Sequence, residues 1–160
     1  MKPRNILILC TGNSARSIIG EVLTSAMPGF KGYSAGSRPR EEPHPIALAI
    51  LEANGHDTSG LSSKSWDVFE GPDAPVMDMV ITLCDNAASE TCPTWPGHPV
   101  QVQWPLQDPL HVEEMAQRRA AFEDTYSSLK KRLQRLAALN FDELSPAELK
   151  AAAQDIHTKR

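Results

Sequence analysis

Near the start of the chain, a continuous apolar run is followed by apolar residues that are spaced as on one face of a helix. Ile6–Leu9 is a short apolar run, and small or polar residues follow it at Cys10–Ser14. From Ser17 the apolar residues share one helical face until Pro28 interrupts it; they are Ile18, Ile19, Val22, Leu23 and Ala26. A short apolar run indicates a buried strand, and spacings of three and four indicate an amphipathic helix. The pattern predicts a strand, a tight loop and a helix over residues 5–27.

The same two patterns alternate along the rest of the chain. Apolar or alternating segments predict strands at residues 31–35, 76–83 and 100–104. Helical spacing predicts a helix over residues 46–54, and Ser145 begins a small terminal helix. Between them the pattern predicts a long amphipathic helix, with Lys130, Arg132 and Gln134 on its outer face. Its apolar stripe consists of Val112, Met115, Phe122, Tyr126, Leu129, Leu133 and Leu136.

This alternation favours an α/β fold with a four-stranded parallel sheet flanked by helices on both faces. We expect residues 1–140 to form the domain, and residues 141–160 to add a C-terminal helix and tail to the same domain. Ligands of such sheets bind at the carboxyl ends of the strands, where the loop from Cys10 must lie.

Composition narrows the class of protein. The 160 residues carry 16 Lys and Arg against 20 Asp and Glu, a net charge of −4, which does not favour nucleic acid or an acidic membrane as partner. No apolar run approaches the ~20 residues of a membrane span, and there is no secretory signal pattern. We expect a cytoplasmic monomer without a cofactor. Three cysteines, Cys10, Cys84 and Cys92, are too few for a disulfide scaffold or a four-cysteine metal site.

The segment Cys10–Ser17 has the composition of an anion-binding loop. Small residues allow successive N–H groups to converge, and the following helix adds the positive end of its dipole. Arg16 has a planar fork that suits two oxygens of a tetrahedral oxyanion. In that field we expect Cys10 to be a thiolate near neutral pH, with hydroxyls of Ser14 and Ser17 donating to its sulfur. The alternative is a buried apolar cysteine and an ordinary surface arginine.

The predicted oxyanion ligands are the loop residues that follow the cysteine, and Asn13 is also expected to hold the loop in shape. They are Thr11, Gly12, Asn13, Ser14, Ala15, Arg16 and Ser17.

The sequence Cys-Thr-Gly-Asn-Ser-Ala-Arg-Ser at residues 10–17 resembles the low-molecular-weight protein tyrosine phosphatases and the arsenate reductases that share their fold. The identity of these eight residues is similar to that of the arsenate reductases in the family. The resemblance extends through residues 34–36, 63–67, 82–97 and Asp108-Pro109, and covers roughly residues 5–138. It implies a four-stranded parallel sheet flanked by helices.

Asp108, followed by Pro109, stands where this family keeps its general acid. An Asp-Pro pair is also a common turn, which is the structural alternative. Leu110 and His111 come next, where the phosphatases usually have an aromatic residue. Their presence favours the reductase interpretation.

From the residues alone, Cys84 and Cys92 are core filling, a redox pair, or a metal pair with help from His98. The segment Thr82–Pro93 resembles the redox segment of thioredoxin-coupled arsenate reductases. The spacer of seven residues between the two cysteines favours an intramolecular disulfide, hence thioredoxin over glutathione and glutaredoxin as reductant.

The resemblance implies a mechanism for these positions. Cys10 attacks arsenate held by the loop and Arg16, while Asp108 protonates the departing oxygen. Cys84 then attacks Cys10 and expels arsenite, and Cys92 attacks Cys84 and frees Cys10. A dithiol partner resets the disulfide, and the activity would serve arsenic detoxification.

Some relatives hold a potassium ion near the loop through positions that match Asn13, Glu21 and Ser34, together with an aspartate. This chain has Lys64 in place of that aspartate. We expect its ammonium to pair with Glu21 and to replace the cation, so that no metal is required. A solvated Lys64 is the alternative.

Two rival functions use the same loop. A phosphotyrosine-type phosphatase would need Cys10, Arg16 and Asp108, with water as the second acceptor. A non-enzymatic oxyanion-binding or redox-sensing module would bind arsenate, phosphate or sulfate without turnover.

Overall fold

Strands and helices alternate along the chain in the computed structural model, which describes residues 3–71, 73–83, 95, 99–106, 109 and 114–156. In chain order the elements are β1 (Arg4–Cys10), α1 (Arg16–Ser25), β2 (Phe30–Gly36), α2 (Pro45–Ala53), a 3-10 helix (Trp66–Phe69), β3 (Met79–Thr82), β4 (Val100–Gln103), α3 (Met115–Ala137) and α4 (Pro146–Ile156). Within these ranges, no helix combines the length and hydropathy that crossing a bilayer requires.

The strands form one parallel sheet in the order β2-β1-β3-β4. β1 lies inside the sheet, where Cys10 pairs with Gly36 of β2 and Leu9 pairs with Thr82 of β3. The winding reverses at β1, because the chain passes to β2 on one side and later to β3 on the other. Ligands of open α/β sheets bind at such a switch point, beyond the carboxyl ends of the strands. The predicted four-stranded parallel sheet is confirmed, and Cys10 ends the strand at that point.

β1 supplies core residues to both faces of the sheet. Ile6 and Ile8 pack in one cluster with buried residues from all four α-helices. Leu7 and Leu9 pack in a second cluster with the 3-10 helix and Trp95. Side chains alternate across a strand, so a strand that is buried on both faces must be apolar without interruption. This is why the Ile6–Leu9 run predicts its strand so clearly.

Local sequence explains where two of the helices begin. α2 starts at Pro45, whose fixed φ suits the first helical position, and the Nδ1 of His44 accepts a hydrogen bond from the N–H of Ile46 (3.1 Å). Ahead of α4, Ser145 N–H donates to Glu148 Oε1 (3.0 Å) and Glu148 N–H donates to Ser145 Oγ (3.2 Å). This reciprocal pair is a capping box, and it accounts for the helix start predicted at Ser145.

The N-terminus of α1 is different. Its N-cap residue is Ala15, which forms no side-chain capping bond, and its first turn contains no acidic residue. The first N–H groups of a helix lack partners inside the helix and must find them elsewhere. Here the loop that precedes the helix, and any anion bound in that loop, has to supply those partners.

The strand predicted over residues 76–83 is shorter in the structure, where β3 spans Met79–Thr82 and Val76 is exposed. Two further features of the fold differ from the sequence prediction. The pattern places Met115 on the buried stripe of the long helix, but Met115 is the first residue of α3 and is 69% exposed. The stripe is buried only from Phe122 onward, while Val112 lies outside the described residues. The 3-10 helix is not predicted at all, since four residues are too few to show a helical period.

The C-terminal helix packs on the same core as the rest of the chain. Leu149, Ala153 and Ile156 of α4 are buried in the cluster that contains Ile6 and Ile8. The indole N–H of the buried Trp104, which follows β4, donates to the Ala153 carbonyl (2.8 Å). α4 is therefore an integral layer of the fold up to Ile156.

Candidate active site

Residues 11–15 form a tight loop between the last residue of β1 and the first residue of α1. The carbonyls of four successive loop residues each accept a hydrogen bond from a donor outside the loop. The four pairs are Arg38 N to Thr11 O (2.9 Å), Arg40 N to Gly12 O (2.9 Å), Ser63 Oγ to Asn13 O (2.6 Å) and His44 N to Ser14 O (2.8 Å). These neighbours hold the loop carbonyls away from its centre.

The direction of the carbonyls fixes the direction of the loop N–H groups. In a planar trans peptide, the C=O of one residue and the N–H of the next point in opposite directions. When the carbonyls from Thr11 to Ser14 face outward, the N–H groups of the following residues face the concave side of the loop. Converging N–H groups at the start of a helix form an anion-binding nest. This geometry suits the anion-binding role that is predicted for the segment Cys10–Ser17.

A chain of hydrogen bonds leads to the Cys10 sulfur. The Lys64 backbone N–H donates to Asn13 Oδ1 (2.9 Å), which identifies that atom as the oxygen because an amide N–H can only donate. The other end of the Asn13 amide donates to Ser17 Oγ (2.7 Å), and Ser17 Oγ lies 2.9 Å from Cys10 Sγ. A thiolate sulfur has no hydrogen to donate, so the Ser17 hydroxyl is the donor in this contact when Cys10 is ionised. The buried Cys10 therefore faces a polarised donor suited to a thiolate.

Two backbone features give the loop its shape. Asn13 has a φ of 45°, in the left-handed region that Asn tolerates better than most residues. Gly36, at the end of β2, lies against the loop so closely that a Cβ there would be 2.4 Å from the Thr11 carbonyl oxygen and 3.0 Å from the Cys10 carbonyl oxygen. Only glycine permits this approach of the two strand ends.

Lys64 also joins a charged cluster behind the loop. Its Nζ donates to the carbonyls of Ser62 (2.7 Å) and Ser34 (3.1 Å) and lies 3.6 Å from Glu21 Oε1. The Ser34 hydroxyl donates to the same Glu21 oxygen (2.5 Å). Three oxygens from α1, β2 and the segment before the 3-10 helix thus surround one ammonium.

Arg16 is the loop arginine, and it is buried (8% exposed). Its Nη1 donates to the carbonyl of Leu106 (2.9 Å), in the segment that follows β4. This bond restrains the plane of the guanidinium, which is the group that the sequence assigns to the oxyanion.

Three of the predicted catalytic residues, Cys84, Cys92 and Asp108, lie outside the described residues. The described part brings together Cys10, the loop, Arg16 and the supporting cluster. In the described ranges, no group of three or more His, Cys, Asp or Glu side chains has the geometry to hold a metal ion.

The residues that donate to the loop carbonyls from outside the loop are not predicted from the sequence. The donors to the loop carbonyls come from residues 38–44, which the sequence indicates only as a polar, proline-rich connector, and from Ser63. Three of these four donors are backbone N–H groups, and a backbone donor leaves no signature in side-chain composition.

Comparisons with known proteins give a matching family and similar structures. The family described as low molecular weight phosphotyrosine protein phosphatase matches residues 5–154. An arsenate reductase of Bacillus subtilis is 32% identical over 124 residues, which cover 76% of this chain and 86% of that protein. A solved arsenate reductase in the reduced state is 26% identical with a TM-score of 0.64, covering 86% of this chain and 98% of that chain. A thioredoxin-dependent arsenate reductase of Corynebacterium glutamicum is 26% identical with a TM-score of 0.55, covering 83% of this chain and 63% of that chain.

Proposed function

The chain belongs to the low molecular weight phosphotyrosine protein phosphatase family, and on that premise we propose that it reduces arsenate to arsenite with Cys10 as the nucleophile. The observation that carries the proposal is the loop, with four carbonyls held outward and the Cys10 sulfur 2.9 Å from Ser17 Oγ. This arrangement suits attack of a thiolate on a tetrahedral oxyanion. Similarity to arsenate reductases makes arsenate the favoured substrate. Phosphate and sulfate have the same shape and are expected to compete.

The first step is a displacement at arsenic. The Cys10 sulfur forms a bond to the arsenic of bound arsenate as one arsenic–oxygen bond breaks. That oxygen leaves as water, with a proton from Asp108. The remaining oxygens are held by the N–H groups of residues 11–17 and by Arg16, where negative charge is stabilised.

The next steps transfer two electrons. The Cys84 thiolate attacks the Cys10 sulfur, a disulfide forms, and the electron pair of the arsenic–sulfur bond stays on arsenic, which leaves as arsenite. Cys92 attacks Cys84 and releases Cys10 as a thiolate. In the described chain, Leu83 precedes Cys84 and donates its N–H to the carbonyl of Leu9 (2.8 Å), the neighbour of Cys10. This pairing supports a cascade between the two cysteines.

The reductant and the cellular role belong to the same proposal. Reduction of the Cys84–Cys92 disulfide needs a dithiol, and similarity to a thioredoxin-dependent enzyme favours thioredoxin over glutathione with glutaredoxin. These systems keep thiols reduced in the cytoplasm, where we place the protein. Conversion of arsenate to arsenite would serve arsenic detoxification.

We expect Cys84→Ser and Cys92→Ser each to lower steady-state arsenate reduction to below about 1% of the wild-type rate, because each removes a sulfur that the cascade needs. The measurement is arsenate-dependent NADPH oxidation in a coupled thioredoxin and thioredoxin reductase system, repeated with glutathione and glutaredoxin. Hydrolysis of p-nitrophenyl phosphate by the same variants is the control, since it needs only Cys10, Arg16 and Asp108.

Each outcome has a definite meaning. Turnover that survives both substitutions contradicts the cascade. No NADPH oxidation in either system, with efficient phosphate ester hydrolysis, identifies a phosphatase. Equal binding of arsenate, phosphate and sulfate, with neither activity, identifies the oxyanion-binding module.

Lys64 is proposed to act as a built-in cation that supports the loop from behind. Its ammonium neutralises Glu21 and is surrounded by the carbonyls of Ser34 and Ser62, while its backbone N–H holds Asn13. The same residue thus organises the cluster through its side chain and the thiol donor chain through its main chain.

Lys64→Met is expected to weaken phosphate binding about fivefold in sodium buffer, the size of a partly exposed charge contact of ~1 kcal/mol. Potassium or ammonium chloride at matched ionic strength is expected to restore part of the loss, because a monovalent cation can enter the oxygen cluster. Isothermal titration calorimetry with phosphate measures both effects. Lys150→Met, at an exposed lysine of α4, is the matched control. Unchanged phosphate affinity in Lys64→Met contradicts the supporting role.

A further inference from the structure

Two arginines hold the segment Trp104–Leu106, which follows β4. Nη1 of Arg132, on α3, donates to the carbonyls of Trp104 (3.2 Å) and Pro105 (3.4 Å). Nη1 of Arg16 donates to the next carbonyl, that of Leu106 (2.9 Å). Arg132 of α3 therefore donates to two of three successive carbonyls, and Arg16, the first residue of α1, donates to the third.

The rest of this segment is fixed to the sheet. The N–H groups of Trp104 and Leu106 donate to the carbonyls of Thr82 and Leu83, both at 2.8 Å. The Trp104 indole is anchored to α4 through Ala153. Within the described residues, the donors to the carbonyls of this segment are the two arginines, which add to the support that the sheet gives through the N–H groups of Trp104 and Leu106.

Arg132 is half-buried, and that burial lowers the pKa of its guanidinium. An arginine nevertheless keeps its charge at neutral pH. Placing a charge in a partly desolvated position is costly unless hydrogen bonds compensate it. Loss of the guanidinium would leave the carbonyls of Trp104 and Pro105 without these donors.

We propose that Arg132 is a positioning residue that orients the oxyanion arginine, because it holds the segment whose Leu106 carbonyl restrains the guanidinium of Arg16. The inference rests on the proposed role of Arg16 in oxyanion binding. A planar guanidinium that donates to two oxygens binds them less well when its plane tilts. Small misplacements of such groups cost up to about a hundredfold in rate.

The test compares Arg132→Gln and Arg132→Lys with Lys131→Gln, a change at the adjacent exposed lysine of α3. Phosphate affinity is measured without any reductant, by protection of the Cys10 peptide from iodoacetamide with mass spectrometry. We expect Arg132→Gln to weaken phosphate binding about tenfold and to raise the KM for arsenate more than it lowers kcat. Arg132→Lys is expected to recover part of the affinity, and Lys131→Gln to match wild type.

Two readouts distinguish positioning of Arg16 from a general loss of structure. The alkylation rate of Cys10 without phosphate should stay within about twofold of wild type in Arg132→Gln, because the Asn13 and Ser17 donors are untouched. In an Arg16→Lys background, Arg132→Gln should weaken phosphate binding little further, because its effect passes through Arg16. If Arg132→Gln fails to fold, the same cycle is measured with Arg132→Lys.

The inference is overturned by unchanged phosphate affinity in the Arg132 variants, or by additive losses in the double variant. It is separable from the reductase proposal. Wild-type protein that binds phosphate at Cys10 but does not reduce arsenate contradicts the proposed function and leaves this cycle interpretable. Wild-type protein that reduces arsenate, with phosphate affinity unaffected by Arg132, contradicts only the inference.

Discussion

Cys10→Ser is expected to abolish arsenate reduction and to leave oxyanion binding nearly intact. Removal of a catalytic nucleophile costs on the order of 10⁴-fold to 10⁶-fold in rate, and a hydroxyl cannot form the disulfide that the proposed cascade requires. The shape of the proposed anion-binding loop does not depend on the sulfur. Its carbonyls are held by residues 38–44 and by Ser63, and its N–H groups keep their direction. Phosphate affinity should therefore stay within about threefold of wild type.

Arsenate-dependent NADPH oxidation measures the loss, and isothermal titration calorimetry with phosphate measures the retention. Ser25→Ala is a suitable control, because this hydroxyl accepts from Gly32 N–H at the far end of α1 and takes no part in the loop. Residual reduction above about 1% would assign the chemistry to another thiol. Loss of phosphate binding together with turnover would mean that the Cys10 sulfur is itself needed to hold the loop.

The first strand, loop and helix could be predicted because their signals are local. The run Ile6–Leu9 is apolar at every position since both faces of β1 are covered, and the period changes where α1 begins. α2 begins at Pro45, one position before the predicted start at Ile46, because proline is acceptable at the first helical position. Such one-residue shifts follow from capping geometry.

What could not be predicted depends on tertiary placement. Helical spacing puts Met115 in line with the buried stripe of α3, but spacing does not show where the rest of the protein stops covering the helix. The donors of Arg38, Arg40 and His44 to the loop are backbone N–H groups, so their side chains give no sign of the role. Arg132 reads in the sequence as a polar position on the outer face of an amphipathic helix, whereas its guanidinium reaches the segment after β4.

The residues of the candidate site also combine a part that could be predicted with a part that could not. Asn13 and Ser17 could be assigned to the loop from the motif, and the structure adds the order in which they act on the sulfur. Asn13 is held by Lys64 N–H, Ser17 accepts from Asn13, and Cys10 is the end of the chain of donors. This order follows from donor and acceptor chemistry at known positions, which spacing alone does not contain.

Arg16→Lys is expected to lower arsenate reduction by about 10²-fold to 10³-fold, the usual cost of removing one oxyanion donor from a catalytic site. Lysine keeps the positive charge but has a single ammonium in place of a planar fork, so it cannot grip two oxygens of arsenate. The Arg16 guanidinium donates to the Leu106 carbonyl from Nη1, a contact that restrains its plane, and an ammonium has no plane to restrain. Phosphate affinity should fall with turnover.

The reactivity of Cys10 separates this effect from general damage to the loop. Iodoacetamide is uncharged, and the Ser17 hydroxyl still lies beside the sulfur in Arg16→Lys, so alkylation of Cys10 should stay within about threefold of wild type. Arg38→Lys makes the same chemical change at an exposed arginine whose backbone holds Thr11, and it should leave phosphate affinity and turnover unchanged. If Arg16→Lys retained both, Arg16 would serve only to tie the loop to Leu106, and the charge for the oxyanion would have to come from the loop N–H groups and the end of α1 alone.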